Sequence, residues 1–190
     1  EILLKDSVAF GRSDPNTDPC GYRTLMMFQL AEKHYDVENL AEKLSQKDKE
    51  YIRPKEVDLI ALLESHAIDY MMIYTSVAKQ HRLEHLELPD EINLGNPEFT
   101  GFYAHAEVEL SGKTKDEKIT RKGEPMIYGV SLVKDAPHKE TALEFLQFLL
   151  HPEKGLKIIE KNGQSTIVDT TSAYYSQFPD VIKKQLNNER

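Results

Sequence analysis

A single cysteine, Cys20, stands in 190 residues, so no internal disulfide can form, and one thiol says nothing about the redox compartment. Long apolar runs are also missing: none approaches the roughly 18 residues needed to cross a membrane. Basic residues are the minority. Lys plus Arg is 24 against 32 Asp plus Glu, a formal net charge of −8. That balance excludes the basic stripe of a non-specific nucleic-acid binder. There is no Walker loop, GxGxxG, GxSxG or cysteine cluster, so no enzyme constellation is legible. The chain opens Glu1-Ile2-Leu3-Leu4, without Met and without a basic-then-apolar signal segment, and reads as a fragment or a processed product.

What is present is an ordinary globular composition, 39% apolar and 29% charged, with enough chain to bury a core. Val8-Ala9-Phe10 reads as a buried strand ending in Gly11. A polar loop with Pro15 and Pro19 follows. A helix is expected over Pro19 to His34, with Leu25, Met26, Phe28 and Leu30 inside, and a more solvated one over Asp36 to Lys47. Ile52 lies in a brief extended piece. Pro54, followed by acids, signals a helix through Glu64. Ile68 to Tyr74 has strand length, and Ser76 to His81 a helical pattern. This alternation predicts an α/β domain.

Residues 88 to 103 read as loop, His105 to Leu110 as a half-buried strand, and Ser111 to Gly123 as a turn-rich connection. Met126 to Val133 reads as a strand. His138 to Leu150 reads as an amphipathic helix with Ala142, Phe145, Leu146 and Leu149 on its apolar face. A last helix is expected from Pro152 to Lys161, stopped at Asn162-Gly163. The best boundary lies in the polar stretch before Met126.

Three groups of residues could carry chemistry. In Asp18-Pro19-Cys20-Gly21-Tyr22, Asp18 is a natural N-cap and Pro19 suits the first helical position. The free amides of a helix start can hold an anion, although the same pattern serves a plain cap. Nothing nearby in the sequence visibly activates Cys20 as a nucleophile. Glu56 and Tyr74 fall on a helix start and on the end of the next strand, positions that face one crevice in open α/β sheets. Each also has an ordinary reading, as dipole compensation and as a core ring with a wet hydroxyl. The third group is His81-Arg82-Leu83-Glu84-His85. It offers a metal-dependent enzyme the set His81, Glu84 and His85, but lacks the HExxH order, and surface histidines are the simpler reading. His34, His66, His105, His138 and His151 have no ligand spacing.

The run Phe10-Gly11-Arg12-Ser13-Asp14-Pro15-Asn16-Thr17-Asp18-Pro19-Cys20-Gly21-Tyr22-Arg23-Thr24-Leu25-Met26 resembles the tungstate/molybdate-binding proteins of ABC transporters, of the archaeal type. So do Ile52 to Leu59, Ala61 to Ser65, Tyr74 to Ala78, Leu88 to Leu94 and Tyr128-Gly129-Val130. The helix pair from Ala142 to Gln164 is typical of solute-binding proteins more broadly.

The resemblance implies a periplasmic-binding type II α/β fold. Residues 1–125 would form most of the second lobe, and residues 126–190 would return into the first lobe. The segment that begins the first lobe in such proteins precedes Glu1. The implied function is capture of tungstate or molybdate between two lobes, outside the cytoplasmic membrane, with delivery to an ABC permease. The ligand positions fall on Asp18, Pro19, Cys20, Glu56 and Tyr74: amides of the Asp18–Gly21 turn and the Tyr74 hydroxyl on the oxygens, Asp18 and Glu56 as carboxylate ligands to tungsten or molybdenum. No cofactor, no catalysis and no nucleic acid is expected, and a membrane only through an anchor ahead of Glu1. A domain that keeps the fold and binds nothing is the remaining alternative.

Overall fold

The structure is a computed structural model and describes residues 1–114, 116–167 and 172–188. Its strands are β1 (Phe10–Ser13), β2 (Ile52–Arg53), β3 (Tyr70–Met71), β4 (Glu107–Ser111) and β5 (Lys118–Lys122). Its α-helices are α1 (Pro19–Tyr35), α2 (Leu40–Gln46), α3 (Ile60–Glu64), α4 (Thr75–Gln80), α5 (Asp90–Asn93), α6 (Thr100–Tyr103), α7 (Lys139–Leu149), α8 (Lys157–Lys161) and α9 (Asp180–Asn188). The chain forms two compact units, Glu1–Tyr74 with His85–Ile127, and Thr75–Glu84 with Tyr128–Arg190.

In the first unit β1 is the centre of a parallel sheet ordered β2-β1-β3. Arg12 pairs with Ile52 and Ser13 with Arg53 on one side; Phe10 pairs with Tyr70 and Gly11 with Met71 on the other. All four residues of β1 are buried, as a strand flanked on both edges and covered on its faces must be. Both neighbours are only two residues long. The expected strand over Ile68 to Tyr74 is therefore cut to Tyr70–Met71, and β1 begins at Phe10 rather than Val8.

Helix α1 starts where the sequence places it. Asp18 is in extended conformation and caps the helix, and Pro19 takes the first position. Met26, Phe28, Leu30 and Ala31 are buried, while Leu25 is half-buried. Phe28 meets Phe10 of β1 edge to face, with ring centroids 6.1 Å apart. Packing against α2, α5, β1 and β4 surrounds most of the helix. Asp36, in the left-handed conformation, ends it and returns its N–H to the Glu32 carbonyl.

Several expectations are corrected here. The helix expected from Pro54 begins instead as a 3₁₀ turn over Glu56–Leu59 that passes into α3. Residues 88 to 103 are not loop: α5, a 3₁₀ turn at Pro97–Phe99 and α6 occupy them. They are tied by Tyr103, whose fully buried ring carries a hydroxyl that donates to the Asp90 carbonyl and accepts from the Asn96 amide. The expected connection over Ser111 to Gly123 holds β5, antiparallel to β4 with Glu107 opposite Lys122. Every β5 residue is exposed, so no apolar alternation marked it.

The second unit packs α7 against α9. Leu146, Ile182 and Leu186 are buried, with Leu132, Leu143, Leu150, Tyr175, Phe178 and Val181 around them. On α7, Leu146 is inside as expected, but Phe145 is 58% exposed. The helix expected from Pro152 starts as a π turn over Pro152–Leu156 and continues as α8. It stops at Gly163, whose φ of 86° suits glycine. The strand expected over Met126 to Val133 does not form among the described residues. Ile127, Tyr128, Val130 and Val133 are exposed, and an extended segment without a paired neighbour cannot satisfy its backbone groups as a strand.

Candidate functional site

Three segments leave the carboxyl ends of the three parallel strands. The first runs from Ser13 through Asp14 to the start of α1. The second runs from Arg53 through Pro54 and Lys55 to Glu56. The third runs from Met71 to Tyr74. Parallel order turns all three toward the same end of the sheet, the usual place for a ligand in open α/β sheets. Asp14 N–H donates to the Arg53 carbonyl at 2.8 Å, and the Thr17 hydroxyl donates to the Pro54 carbonyl at 2.8 Å. The Cys20 thiol faces the Met72 carbonyl at 3.7 Å. Gly21 allows the closeness: a Cβ there would lie 2.6 Å from both the Ser13 oxygen and the Asp14 carbonyl carbon.

Asp18 is the centre of this arrangement. One carboxylate oxygen accepts the Cys20 N–H at 3.0 Å, and the other accepts the Glu56 N–H at 2.8 Å. Two amides from segments 38 residues apart thus converge on one anionic group. Burial works against the charge of Asp18. The Glu56 carboxyl and the Cys20 and Glu56 amides outweigh it and hold the Asp18 carboxyl below its ordinary range.

Glu56 shows the other half of the pair. Its carboxyl hydrogen-bonds Asp18, and that bond, with burial and the nearby charge of Asp18, raises it to about 7. Two carboxyl groups that share a site do not ionise together readily, and Glu56 is the one that keeps its proton to the higher pH. As pH falls below about 7 the pair approaches a single negative charge.

The remaining amides of the turn already have acceptors. Asp18 N–H donates to the Asp14 carbonyl and Gly21 N–H to the Asp18 carbonyl, both at 3.0 Å, while Pro19 has no N–H. An arriving oxygen must compete with these acceptors. Burial, together with the charges of Glu56 and Asp18, pushes the Cys20 thiol up to about 12. Cys20 is consequently a thiol at neutral pH and no nucleophile.

Tyr74 ends the third segment. Its hydroxyl accepts from the Arg23 guanidinium at 2.6 Å. Arg23 also lies over two rings, 5.5 Å from the centroid of Tyr22 and 5.8 Å from that of Tyr74.

The sequence reading did not single out two of these residues. Ser13, fully buried at the end of β1, lies close enough to Asp18 and Cys20 to influence their titration, yet makes no well-directed hydrogen bond. Arg23 carried a signal. A cation in the second turn of a helix stands against the positive dipole end and asks for a local reason.

The histidine alternative is not assembled. Helix α4 ends at Gln80, and Arg82 has a φ of 56°, so no helical face carries His81 to His85. Among the described residues no group of three or more His, Cys, Asp and Glu converges as a metal centre. No helix among them is long and apolar enough to cross a membrane.

Known proteins of similar sequence are solute-binding proteins. A solute-binding protein of Petrotoga mobilis is 46% identical over 168 residues, covering 88% of this chain and 52% of the relative. The molybdate/tungstate-binding protein WtpA of Pyrococcus abyssi is 41% identical, covering 96% of this chain and 57% of its own length. WtpA of Thermococcus kodakarensis is 40% identical, with 96% and 55% covered. The chain thus spans a little over half the length of these relatives. The family model for bacterial extracellular solute-binding proteins matches residues 1–164, and the chain belongs to that family.

Proposed function

We propose that this chain is part of the substrate-binding component of an ABC transporter, which captures tungstate or molybdate outside the cytoplasmic membrane and passes it to a permease. Residues 1–125 form most of the second lobe, and residues 126–190 return to the first, in a periplasmic-binding type II arrangement. Closure of the two lobes buries the oxyanion among oriented dipoles. The observation that carries this reading is the convergence of the Cys20 and Glu56 amides on the Asp18 carboxylate, with the Glu56 carboxyl beside it. The similarity to the two WtpA proteins supports the choice of oxyanion.

Acids at an anion site need a reason. Two unit charges 4 Å apart repel by about 4 kcal/mol at an effective dielectric of 20. Sulfate and phosphate cannot accept further oxygen ligands, so the Asp18 carboxylate, and Glu56 once ionised, repel them with no bond in return. Tungsten(VI) and molybdenum(VI) expand from four to six oxygens. Asp18 and Glu56 then bind the metal of the arriving substrate directly, and the same repulsion becomes selectivity. The proton held by the pair lowers the opposing charge before the substrate arrives. Tyr74 supplies a hydroxyl to an oxyanion oxygen, and the start of α1 contributes its dipole. No cofactor takes part.

Calorimetric titration of the full-length protein with tungstate and molybdate, against a sulfate control, tests the reading. Tight one-to-one binding of either, with sulfate silent, is expected. Absence of heat from both, in folded protein freed of bound anion, removes the reading in favour of a fold that binds nothing of this class. X-ray absorption of the tungstate complex is expected to show six oxygen neighbours; four short bonds alone would eliminate direct coordination by Asp18 and Glu56.

A further inference from the structure

We propose that Arg23 is a positioning residue for the bound oxyanion, holding the Tyr74 hydroxyl in place and bringing a permanent positive charge to the side of the site where Tyr74 stands. The inference rests on the oxyanion-binding reading above. It adds a residue to which nothing in the sequence motif assigned a role.

The geometry is specific. Arg23 Nη1 donates to Tyr74 Oη at 2.6 Å, short for a neutral acceptor. The guanidinium is also stacked near the Tyr22 and Tyr74 rings, at 5.5 and 5.8 Å from their centroids. Contacts from its own helix and from the end of the β3 segment therefore fix it. A guanidinium has only donors and stays charged at any relevant pH. Tyr74 Oη must accept in this bond, so its single proton is turned away from Arg23. A hydroxyl that accepts from a cation is also a stronger donor in its own right.

The charge has its own use. A dianion meeting the Asp18–Glu56 pair faces negative charge on one side. A fixed cation behind Tyr74 offsets it without placing an ammonium or guanidinium on the oxyanion itself. Such a direct contact would hold sulfate equally well. Arg23 acts through Tyr74, which keeps discrimination with the carboxyl pair.

A double-mutant cycle tests this in the full-length protein, with molybdate and tungstate as probes and thermal unfolding recorded for every variant. Arg23→Gln is expected to weaken binding roughly 10- to 100-fold, the scale of one charge-assisted hydrogen bond. Arg23→Lys, which keeps the charge and a donor, is expected to recover part of that loss. In a Tyr74→Phe background, Arg23→Gln should cost much less than in the parent. A purely structural arginine would instead lower the melting temperature without this coupling. Parental affinity in Arg23→Gln, or losses that simply multiply in the double variant, overturn the proposal. If Arg23→Gln does not fold, Arg23→Lys alone and with Tyr74→Phe completes the cycle. A parent protein that binds neither oxyanion overturns the functional reading itself, and this proposal with it; binding by the parent with no coupling overturns only the role of Arg23.

Discussion

The backbone N–H of Glu56 donates to the Asp18 carboxylate at 2.8 Å, while the Glu56 carboxyl stands beside that same carboxylate and is raised by it. One residue thus serves Asp18 twice, once through its amide and once through its acid. The first contact fixes the loop after β2 on the start of α1. The second keeps the two acids from facing each other as a pair of full charges.

Asp18 caps α1 and, in the proposed reading, also binds the oxyanion; substitution separates the two. Asn at this position still accepts from the Cys20 N–H and remains a good N-cap. Asp18→Asn keeps the cap but turns its NH2 toward the Glu56 N–H, so it is expected to lose that loop contact, at a cost of about 1–3 kcal/mol, together with tungstate binding. Asp18→Ala removes the cap as well and should cost about a further 1 kcal/mol of stability. Urea unfolding and calorimetric titration of the two variants side by side check the separation.

The proton pair makes stability depend on pH. Glu56 has its carboxyl raised to about 7 in the folded chain from an ordinary 4.5. Between those values the folded state holds a proton that the unfolded state has released, so stability falls as pH rises from about 4.5 to 7. Asp18 is depressed, so its contribution is present above its ordinary 3.8 and is lost on further acidification as pH falls through the lower folded value. Glu56→Gln should flatten the fall between mildly acid and neutral pH while leaving the loss in strong acid. Urea midpoints measured across pH for parent and variant give the answer.

Glu56→Gln also addresses selectivity. An amide is a much poorer ligand for a six-coordinate metal than a carboxylate, and it repels sulfate less. The preference for tungstate over sulfate that the proposed reading requires is expected to shrink from both sides. Competition titrations report the ratio, and an unchanged ratio would assign selectivity elsewhere.

Gly21 is predicted to tolerate no side chain. Its added Cβ would fall 2.6 Å from the Ser13 oxygen, and that neighbour is backbone, which cannot swing aside. Gly21→Ala should destabilise by roughly 1–3 kcal/mol, the usual cost of overpacking. It should also displace Asp18 from Glu56, so oxyanion affinity should fall with stability. Gly101→Ala, where a Cβ meets nothing within 4 Å, is the control.

Local chemistry made part of this protein legible in the sequence. The Asp18-Pro19 start of α1, the stop at Gly163 and the buried β1 follow from capping, from φ preference and from a short apolar run, all decided within a few residues. Asp18, Glu56 and Tyr74 could be marked as candidates for the same reason, though each also had an ordinary local reading. The strand over Met126 to Val133 was over-read because apolar composition records a wish for neighbours, not their presence. Strand β5 was missed because its partner is β4 and its own side chains stay in water. Only the tertiary structure decided that Asp18 meets Glu56 and that Arg23 holds Tyr74. Those pairs lie 38 and 51 residues apart, and parallel strand order alone turns their segments to one end of the sheet. Hydrogen bonding and charge act over a few ångströms of space, a distance that separation along the chain does not record.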